Sequence, residues 1–282
     1  MVSSWQVVGV GLALLLFQGC APRPAGPMDQ LTVVGFNVES GDADPQALAK
    51  TVIQATAPAN LWGFSELQSG GWLRILEDAS EAHGGSNYTG IIGNTGGEDR
   101  LGILYDTQRL DYRGHFELLT AQAGRANRAP LVAEFVFKPT GQRFLFVVTH
   151  LYRGLGSRRQ DTRWRQAEAL NTWARNQSLP VIAVGDFNFD WEVKSRGQLR
   201  DRGFDILTDP REGAFRWVKP EFLVKTTCSE FDSILDFVFV AGPSQTWPAA
   251  ADILFPEDAY CGDTPQSSDH RPVRAVFQVP KP

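Results

Sequence analysis

The feature that most constrains this chain is a set of six segments in which an apolar, strand-like run ends in a carboxylate, an amide or a histidine. In chain order these segments are Phe36-Asn37-Val38, Ser65-Glu66-Leu67-Gln68, Thr149-His150-Leu151, Gly185-Asp186-Phe187-Asn188, Ile234-Leu235-Asp236-Phe237 and Ser268-Asp269-His270-Arg271-Pro272. Each segment alone has a structural explanation, such as a capped turn or a hydrogen-bonded core histidine. Because unpaired polar groups are costly to bury, six of them together predict one shared site.

Hydrophobic periodicity predicts alternating strands and helices from residue 31 to the end of the chain. The predicted strands are 31–38, 61–64, 101–105, 131–137, 143–149, 181–184, 233–240 and 272–279, and the predicted helices are 44–56, 71–83 and 159–176. A chain of 282 residues is long enough for one large domain with a substantial core. The pattern therefore predicts a single strand-rich α+β domain over residues 31–282.

The first twenty residues form a separate segment. Residues 7–17 are nearly all apolar and are followed by Gln18-Gly19-Cys20. An apolar run of this length suits a signal peptide better than a membrane span. The cysteine resembles a bacterial lipoprotein signal, with Cys20 lipidated, although no Lys or Arg precedes the run. An ordinary cleaved signal or an uncleaved anchor is the alternative. With residues 21–30 as a Pro-rich tether, we expect an exported protein, lipid-anchored in the periplasm or cell envelope.

Cysteine usage and charge narrow the functional classes. Beyond Cys20 only Cys228 and Cys261 remain, an even pair that predicts a disulfide in an oxidising compartment; two unrelated buried thiols are the alternative. The net charge of −5 argues against a broad basic surface that grips nucleic acid through phosphates alone, but a bound cation can supply positive charge locally. The Arg-rich segment 153–165 either contacts a nucleic-acid backbone or forms a solvated helix face, and the second interpretation is slightly favoured.

Taken in their order, the six motifs resemble the endonuclease/exonuclease/phosphatase (deoxyribonuclease I-like) superfamily, from about residue 31 to residue 279. This resemblance implies an α/β four-layer α/β/β/α sandwich of two packed mixed β-sheets flanked by helices, with the site at one end. It also implies a metal-dependent phosphoesterase. We expect a phosphodiester hydrolase that uses Mg²⁺ (or Mn²⁺ or Ca²⁺), and a nuclease, specifically an endonuclease, is the favoured form.

The resemblance also implies roles for the residues that match the family motifs. Glu66 would be the direct metal ligand, Asn37 a ligand or an amide that orients Glu66, and Asp269 a ligand directly or through water. His270 would handle protons and contact the scissile phosphate, with Asp236 as the carboxylate that fixes its tautomer. The remaining assignments are Asp186 to orient or deprotonate the attacking water, Asn188 to donate to a phosphate oxygen, and His150 to donate to the phosphate or leaving group. Either His270 or Asp186 is the base.

Two residues outside the six motifs have weaker assignments by the same resemblance. Arg128 would reach the substrate phosphate, or is simply a surface arginine. Asp99 would pair with His150, or lies in a solvated turn. His83 and His115 belong to no motif and are expected on the surface.

Three alternative functions remain open at this point. A sphingomyelinase-type phospholipase would need an exposed aromatic hairpin, for which residues 215–217 and Trp247 are candidates, although their burial is the simpler expectation. A phosphatase of small phosphorylated metabolites would use the same site. A catalytically inactive binding protein is disfavoured by the complete residue set. The expected partners are a phosphodiester substrate, with nucleic acid favoured, and a membrane through Cys20; no obligate protein partner is indicated.

Overall fold

The computed structural model describes Met1 and residues 29–39, 41–261 and 268–282. The proposed signal peptide, Cys20 and most of the tether lie outside these residues. The strands are β1 (Asp29–Asn37), β2 (Leu61–Leu67), β3 (Tyr88–Ile92), β4 (Arg100–Asp106), β5 (Leu110–Glu117), β6 (Leu131–Phe137), β7 (Gln142–His150), β8 (Val181–Glu192), β9 (Phe215–Trp217), β10 (Ser233–Ala241), β11 (Ala249–Ile253) and β12 (Val273–Val279). The helices are α1 (Pro45–Leu48), α2 (Gly70–Gly84), α3 (Ser157–Arg175) and α4 (Arg202–Thr208). No helix among these residues is long and apolar enough to cross a membrane.

The strands form two six-stranded mixed sheets. The first has the order β11-β12-β1-β2-β4-β3, and its one parallel pair is β1 with β2. The second has the order β5-β6-β7-β8-β10-β9, and its one parallel pair is β7 with β8. In each sheet the parallel pair lies at the centre, so four strands that carry predicted site residues lie in the middle of the two sheets.

The two sheets pack face to face, with helices outside. Gly63 of β2 makes room for this contact, since a Cβ there would lie 2.5 Å from Cγ2 of Val184 and 2.7 Å from Cγ2 of Val148. On the outer face of the first sheet, Phe36 and Phe64 pack with Leu73 and other apolar residues of α1 and α2. Helix α3 covers the second sheet through residues such as Leu170. The predicted four-layer α/β/β/α sandwich is confirmed.

The element boundaries differ from the predictions at several places. Strand β1 begins at Asp29, so residues 29 and 30 pair with β12 and the assignment of these two residues to the tether was wrong. The predicted helix 44–56 starts as expected with Asp44 as its N-cap, but changes after one turn to a π-helical segment, Ala49–Ile53. Strand β8 continues through the polar residues to Glu192 instead of ending near residue 184. Strands β3, β5, β9 and β11 and helix α4 were not predicted.

The predicted disulfide is confirmed between Cys228 and Cys261, whose Cα atoms are 5.1 Å apart and which are 33 residues apart in sequence. The backbone N–H of Cys228 donates to the carbonyl of Asp269 at 2.6 Å. The bridge therefore fastens the segment that precedes β10 to the segment that leads into the Asp269-His270 motif. Closing a loop of this length is worth about 2–4 kcal/mol of stability in the usual chain-entropy account.

Candidate active site

The ends of β1 and β2 supply a coupled amide and carboxylate. Asn37 is fully buried at the end of β1, and its Nδ2 donates to Oε1 of Glu66 at 3.0 Å. Its Oδ1 accepts the backbone N–H of Glu39 at 3.0 Å. Glu66 has φ +59°, and the pairing of β2 with β4 shifts register beside it, so the backbone there is turned out of the regular strand. In this arrangement the amide of Asn37 orients the Glu66 carboxylate and holds it at the sheet edge.

Asp186 lies at the centre of the site. It is buried in β8, directly after Gly185, whose φ of +130° and lack of a Cβ let the chain pass the Thr149 carbonyl; a Cβ would lie 2.0 Å from that oxygen. Oδ1 of Asp186 accepts the backbone N–H of Asn188 at 2.9 Å. Oδ2 lies 3.4 Å from Nδ2 of Asn37. Burial raises the pKa of the Asp186 carboxyl above its usual value.

Asn188 is the second polar residue in this part of β8. Its φ of +53° is unusual for a non-glycine residue and turns the side chain back toward β7, where Nδ2 donates to the Leu151 carbonyl at 3.1 Å. One of its two amide hydrogens is used in this bond. The other forms no hydrogen bond with any described residue, and its donation to a substrate oxygen stays a prediction.

A first histidine approaches Asp186 from the end of β7. Nε2 of His150 lies 3.3 Å from Oδ2 of Asp186 and 3.8 Å from Oε1 of Glu66. Its Nδ1 lies 3.7 Å from Oδ1 of Asp99, which forms an ion pair with Arg128. Arg128 also donates from Nε to the His150 carbonyl at 3.2 Å. The ring is buried, with Nδ1 facing the Asp99 carboxylate and Nε2 facing the carboxylates of Asp186 and Glu66.

The acid beside this histidine is electrostatically fixed as a carboxylate. Burial by itself would raise the pKa of Asp99, but the hydrogen bond and charge of His150 and the charge of Arg128 together lower it. Asp99 thus lies beside His150 instead of in a solvated turn, and Arg128 is engaged at the site instead of at the surface. His83 and His115 are exposed, as expected.

A second histidine approaches the same oxygen of Asp186. His270 is buried, and its Nδ1 forms a hydrogen bond of 2.7 Å with Oδ2 of Asp236. Its Nε2 lies 3.8 Å from Oδ2 of Asp186 and 3.7 Å from Oδ1 of Asp269. Burial would lower the pKa of His270, but the charge and hydrogen bond of Asp236 and the charges of the other two carboxylates raise it well above its usual value. Asp236 therefore orients this ring through Nδ1 and favours its protonated form, with Nε2 directed toward Asp186.

The segment that carries His270 is tied to the end of β1. Ser268 donates from Oγ to the Asn37 carbonyl at 2.6 Å and accepts the His270 N–H at 3.0 Å. The backbone N–H of Asp269 donates to Oε2 of Glu39 at 2.5 Å. Burial and the nearby charge of Asp269 raise the pKa of the Glu39 carboxyl to about 7, and the pKa of Asp269 is also raised, chiefly by burial. Hydrogen bonds to Asn37 and Glu39 thus position the segment that carries Asp269 and His270.

A divalent cation fits the residues at this edge of the site. Negative charge accumulates here, since the charges of Asp269 and Glu66 help to raise the pKa of Glu39 and the charge of Glu66 helps to raise that of Asp269. A hard cation with oxygen ligands would relieve that repulsion. Among the described residues no group of three or more His, Cys, Asp or Glu side chains is arranged to hold a metal ion. Mg²⁺ usually binds through one or two carboxylates and completes its coordination shell with water and phosphate. The carboxylates of Glu66 and Asp269 are therefore protein ligands of the right type and number.

The site opens into a cleft of about 460 Å³. Its lining includes Glu66, Asp99 and His150 from the site, together with Arg128, Arg153 and Arg159. The predicted residues Asn37, Glu66, His150, Asp186, Asp236, Asp269 and His270 are thereby joined in one network, with Asn188 and Arg128 at its edges. The aromatic candidates for a membrane hairpin do not form one, because Phe215 and Trp247 are buried.

Sequence reasoning missed several residues of the site. Glu39 was not assigned, although it follows Asn37 by two positions and could have been included in the first motif. Thr226 was also missed; its Oγ accepts the backbone N–H groups of Leu235 and Asp236 and so shapes the bulge that presents Asp236. No sequence signal identifies Thr226, because its contact depends on the path of the loop before β10.

Comparison with known proteins agrees with this geometry. Residues 34–270 match the model of the Endonuclease/Exonuclease/phosphatase family. No curated protein is similar enough to count as a match. Similar solved structures include TDP2 of D. rerio in complex with a single-strand DNA product (18% identity, 89% of this chain and 99% of that chain covered, TM-score 0.64). Others are a mannosyl-6-phosphatase of Bacteroides thetaiotaomicron (23%, 88% and 100%, 0.58) and the human Nocturnin catalytic domain with bound sulfate (15%, 92% and 99%, 0.60).

The solved structures support the fold, and the family model, which spans most of the chain, supports more than the fold. Its match runs from β1 to His270 and so includes both histidines and all the carboxylates of the site. This chain belongs to the endonuclease/exonuclease/phosphatase family, whose members are phosphoester hydrolases.

Proposed function

We propose that this protein is an exported, divalent-metal-dependent phosphodiesterase that cleaves nucleic acid. The observation that carries the proposal is the position of Asp186, whose Oδ2 lies 3.3 Å from Nε2 of His150 and 3.8 Å from Nε2 of His270. Two imidazoles beside one buried carboxylate provide separate groups for the attacking oxygen and the leaving oxygen in the hydrolysis of a phosphodiester. Each imidazole also has an acid on its other nitrogen.

Each side chain of the site has a separate role in the proposed reaction. Asp186 orients the attacking water and takes up its proton, with His270 beside it to contact the phosphate. Asp236 orients His270 so that Nε2 is directed toward the phosphate, and favours the protonated ring that donates to it. His150 donates to the leaving oxygen from the other side, and Asn188 donates to a non-bridging oxygen. A divalent ion bound by Glu66 and Asp269 would supply Lewis-acid stabilisation of the phosphate charge.

Two observations favour nucleic acid as the substrate. Arginines line the cleft although the chain as a whole is acidic, so recognition of an anion would be local. In addition, one structurally similar protein, TDP2, holds a single-strand DNA product. A phosphatase acting on a small phosphorylated metabolite is the second candidate, favoured by the similarity to a mannosyl-6-phosphatase and by the modest size of the cleft. With Phe215 and Trp247 buried, no feature of these residues favours a sphingomyelinase-type activity.

A substrate panel tests the proposal. Purified protein is assayed with plasmid DNA, RNA, sphingomyelin, bis(p-nitrophenyl) phosphate and a sugar monophosphate, in Mg²⁺, Mn²⁺ or Ca²⁺ and again with EDTA. We expect plasmid nicking in Mg²⁺ that stops on chelation and returns when Mg²⁺ is restored. Release of inorganic phosphate from the sugar monophosphate, without cleavage of any nucleic acid in any metal, would select the phosphatase. Nucleic-acid cleavage that persists in EDTA would contradict metal dependence.

Export and lipid attachment are a separate part of the proposal. They rest on the apolar run at residues 7–17 and on Cys20, and the Cys228–Cys261 disulfide is consistent with an oxidising compartment. On expression in a Gram-negative host, we expect the protein in the membrane fraction. A Cys20→Ser variant should move out of that fraction because no acyl chains can be attached. Equal membrane association of both forms would contradict the lipid anchor, and cytoplasmic location of the wild type would contradict export.

A further inference from the structure

The cleft beside His150 contains two arginines that have no partner within the described residues. Arg128 is engaged by Asp99 and the His150 carbonyl, so its donors are largely used. The guanidinium groups of Arg153 and Arg159 line the same cleft, are exposed, and form no hydrogen bond or ion pair with any described residue. Unpaired arginines that face a polar cleft next to a catalytic site indicate an anionic ligand, since the guanidinium fork matches phosphate.

The loop that presents these arginines is fixed. It joins β7 to α3, and buried Arg163 donates from Nη1 to the carbonyls of Tyr152 at 2.8 Å and Gly154 at 3.2 Å. Oε1 of Gln166, also buried, accepts the backbone N–H of Tyr152 at 2.8 Å. These bonds hold the backbone on both sides of Arg153. A ligand would therefore meet an anchored loop instead of having to order it on binding.

The same loop also places Arg159. Gly154 has φ +101°, and a Cβ there would lie 2.6 Å from Nη1 of Arg159, so the guanidinium lies directly against the loop backbone. The charge of Arg153 acts on Asp99 on one side of the site and on Asp269 on the other. Arg153 is therefore within electrostatic reach of the reacting centre, and Arg159 is placed in the same cleft.

We propose that Arg153 and Arg159 form a binding site for a second, non-scissile phosphate of the substrate. This inference rests on the proposed phosphoesterase function and names the part of the substrate that the cleft recognises. His150, Asp186 and His270 face the scissile phosphate, and Arg128 serves Asp99, so the two unpaired arginines are left for another anionic group. In a polynucleotide that group is a neighbouring backbone phosphate; a small molecule with two phosphates offers the same chemistry.

Binding measurements test this site without relying on catalysis. Wild type, Arg153→Gln, Arg159→Gln and the double variant are titrated with a fluorescein-labelled oligonucleotide in EDTA, and with inorganic pyrophosphate by calorimetry. Arg158→Gln is the matched control, because Arg158 precedes Arg159 on α3, is exposed and does not line the cleft. For the double variant we expect oligonucleotide binding to weaken about tenfold or more. The magnitude of the slope of log K against log salt should fall by about 1, because the two arginines together neutralise one phosphate.

Turnover provides the second readout. On a polynucleotide the double variant should lose kcat/KM mainly through KM, and this loss should exceed its loss on bis(p-nitrophenyl) phosphate, which has only one phosphate, by at least tenfold. Equal losses on both substrates, or binding no weaker than that of Arg158→Gln for both ligands, would overturn the second-phosphate site. If pyrophosphate binding depends on the two arginines while no oligonucleotide binds, the site stands, its ligand is a small bis-phosphorylated molecule, and the proposed nuclease function fails.

Discussion

Replacement of His270 with alanine is expected to reduce kcat about 10³-fold on whichever phosphoester the wild type hydrolyses, since removing one preorganised donor to the developing charge costs about 10²–10³-fold. The imidazole lies between Asp236, at 2.7 Å from Nδ1, and Asp186, at 3.8 Å from Nε2. Its loss removes the group that contacts the phosphate and leaves the water-orienting carboxylate without one of its two imidazole neighbours. The measurement is steady-state kcat with Mg²⁺ at saturating substrate.

His83→Ala is the matched control for this variant, because His83 is exposed and outside the site. We expect its kcat to stay within twofold of the wild type. Circular dichroism should show that His270→Ala is folded at the assay temperature, since its removal leaves Asp236 buried without a partner. A kcat for His270→Ala within tenfold of the wild type would remove His270 from the chemical step.

Asp236 should act through His270 and not independently of it. Asp236→Asn is expected to lose less activity than His270→Ala, because the imidazole remains but lacks the acid that favours its protonated form. The double variant should then be no worse than His270→Ala alone, since both substitutions disable one unit. Losses that multiply in the double variant would mean that Asp236 has a second role, for which its unpartnered Oδ1 is the candidate atom.

The convergence of the candidate site residues could be predicted from sequence because it follows largely from the ends of strands. Asn37 and Glu66 lie at the carboxyl ends of neighbouring parallel strands, and His150, at the end of β7, pairs with Asp186 of the parallel strand β8, which continues beyond it. Parallel neighbours bring their carboxyl ends to the same edge, and face-to-face packing of the two sheets brings both edges together. A local signal, apolar run followed by polar residue, was therefore enough to locate the site.

The parts that were missed depend on contacts between segments distant in sequence. Nothing local shows that Glu39 accepts a hydrogen bond from Asp269, 230 residues away. The edge strand β5 was missed because its outer residues are mostly polar and exposed, which weakens the apolar pattern. Strand β8 was predicted too short because its polar residues read as a turn. Its continuation depends on pairing with Ser233 and Ile234 of β10.

In the Arg-rich segment 153–165, contacts with residues distant in sequence again decide the environment of each arginine. The charge pattern alone favoured a solvated helix face, whereas the arginines of the segment lie in different environments in the structure. Arg163 is fully buried, and its Nη2 pairs with Oδ2 of Asp201 at 2.5 Å. Arg153 and Arg159 line the cleft instead. The division depends on Asp201, the N-cap of α4, and no periodicity within α3 predicts a partner in another helix.

Asp201→Ala is accordingly expected to lower the free energy of unfolding by about 3–5 kcal/mol, because it leaves the Arg163 guanidinium buried without its counter-charge. Asp201 also accepts hydrogen bonds from Nε1 of Trp164 at 2.9 Å and from the Gly203 N–H at 2.7 Å, so the variant loses a contact between helices and a helix cap as well. The measurement is urea unfolding at neutral pH, with linear extrapolation to water.

The matched control for Asp201→Ala is Glu134→Ala, which removes the acid of the more exposed pair between Arg143 and Glu134 at 2.7 Å. That change should cost no more than about 1 kcal/mol, since exposed ion pairs are screened by solvent. A loss below about 1 kcal/mol for Asp201→Ala would show that water reaches the Arg163 guanidinium. Arg163 also holds the carbonyls that flank Arg153. Oligonucleotide binding should therefore weaken in Asp201→Ala even where the variant is fully folded, and should remain unchanged in Glu134→Ala.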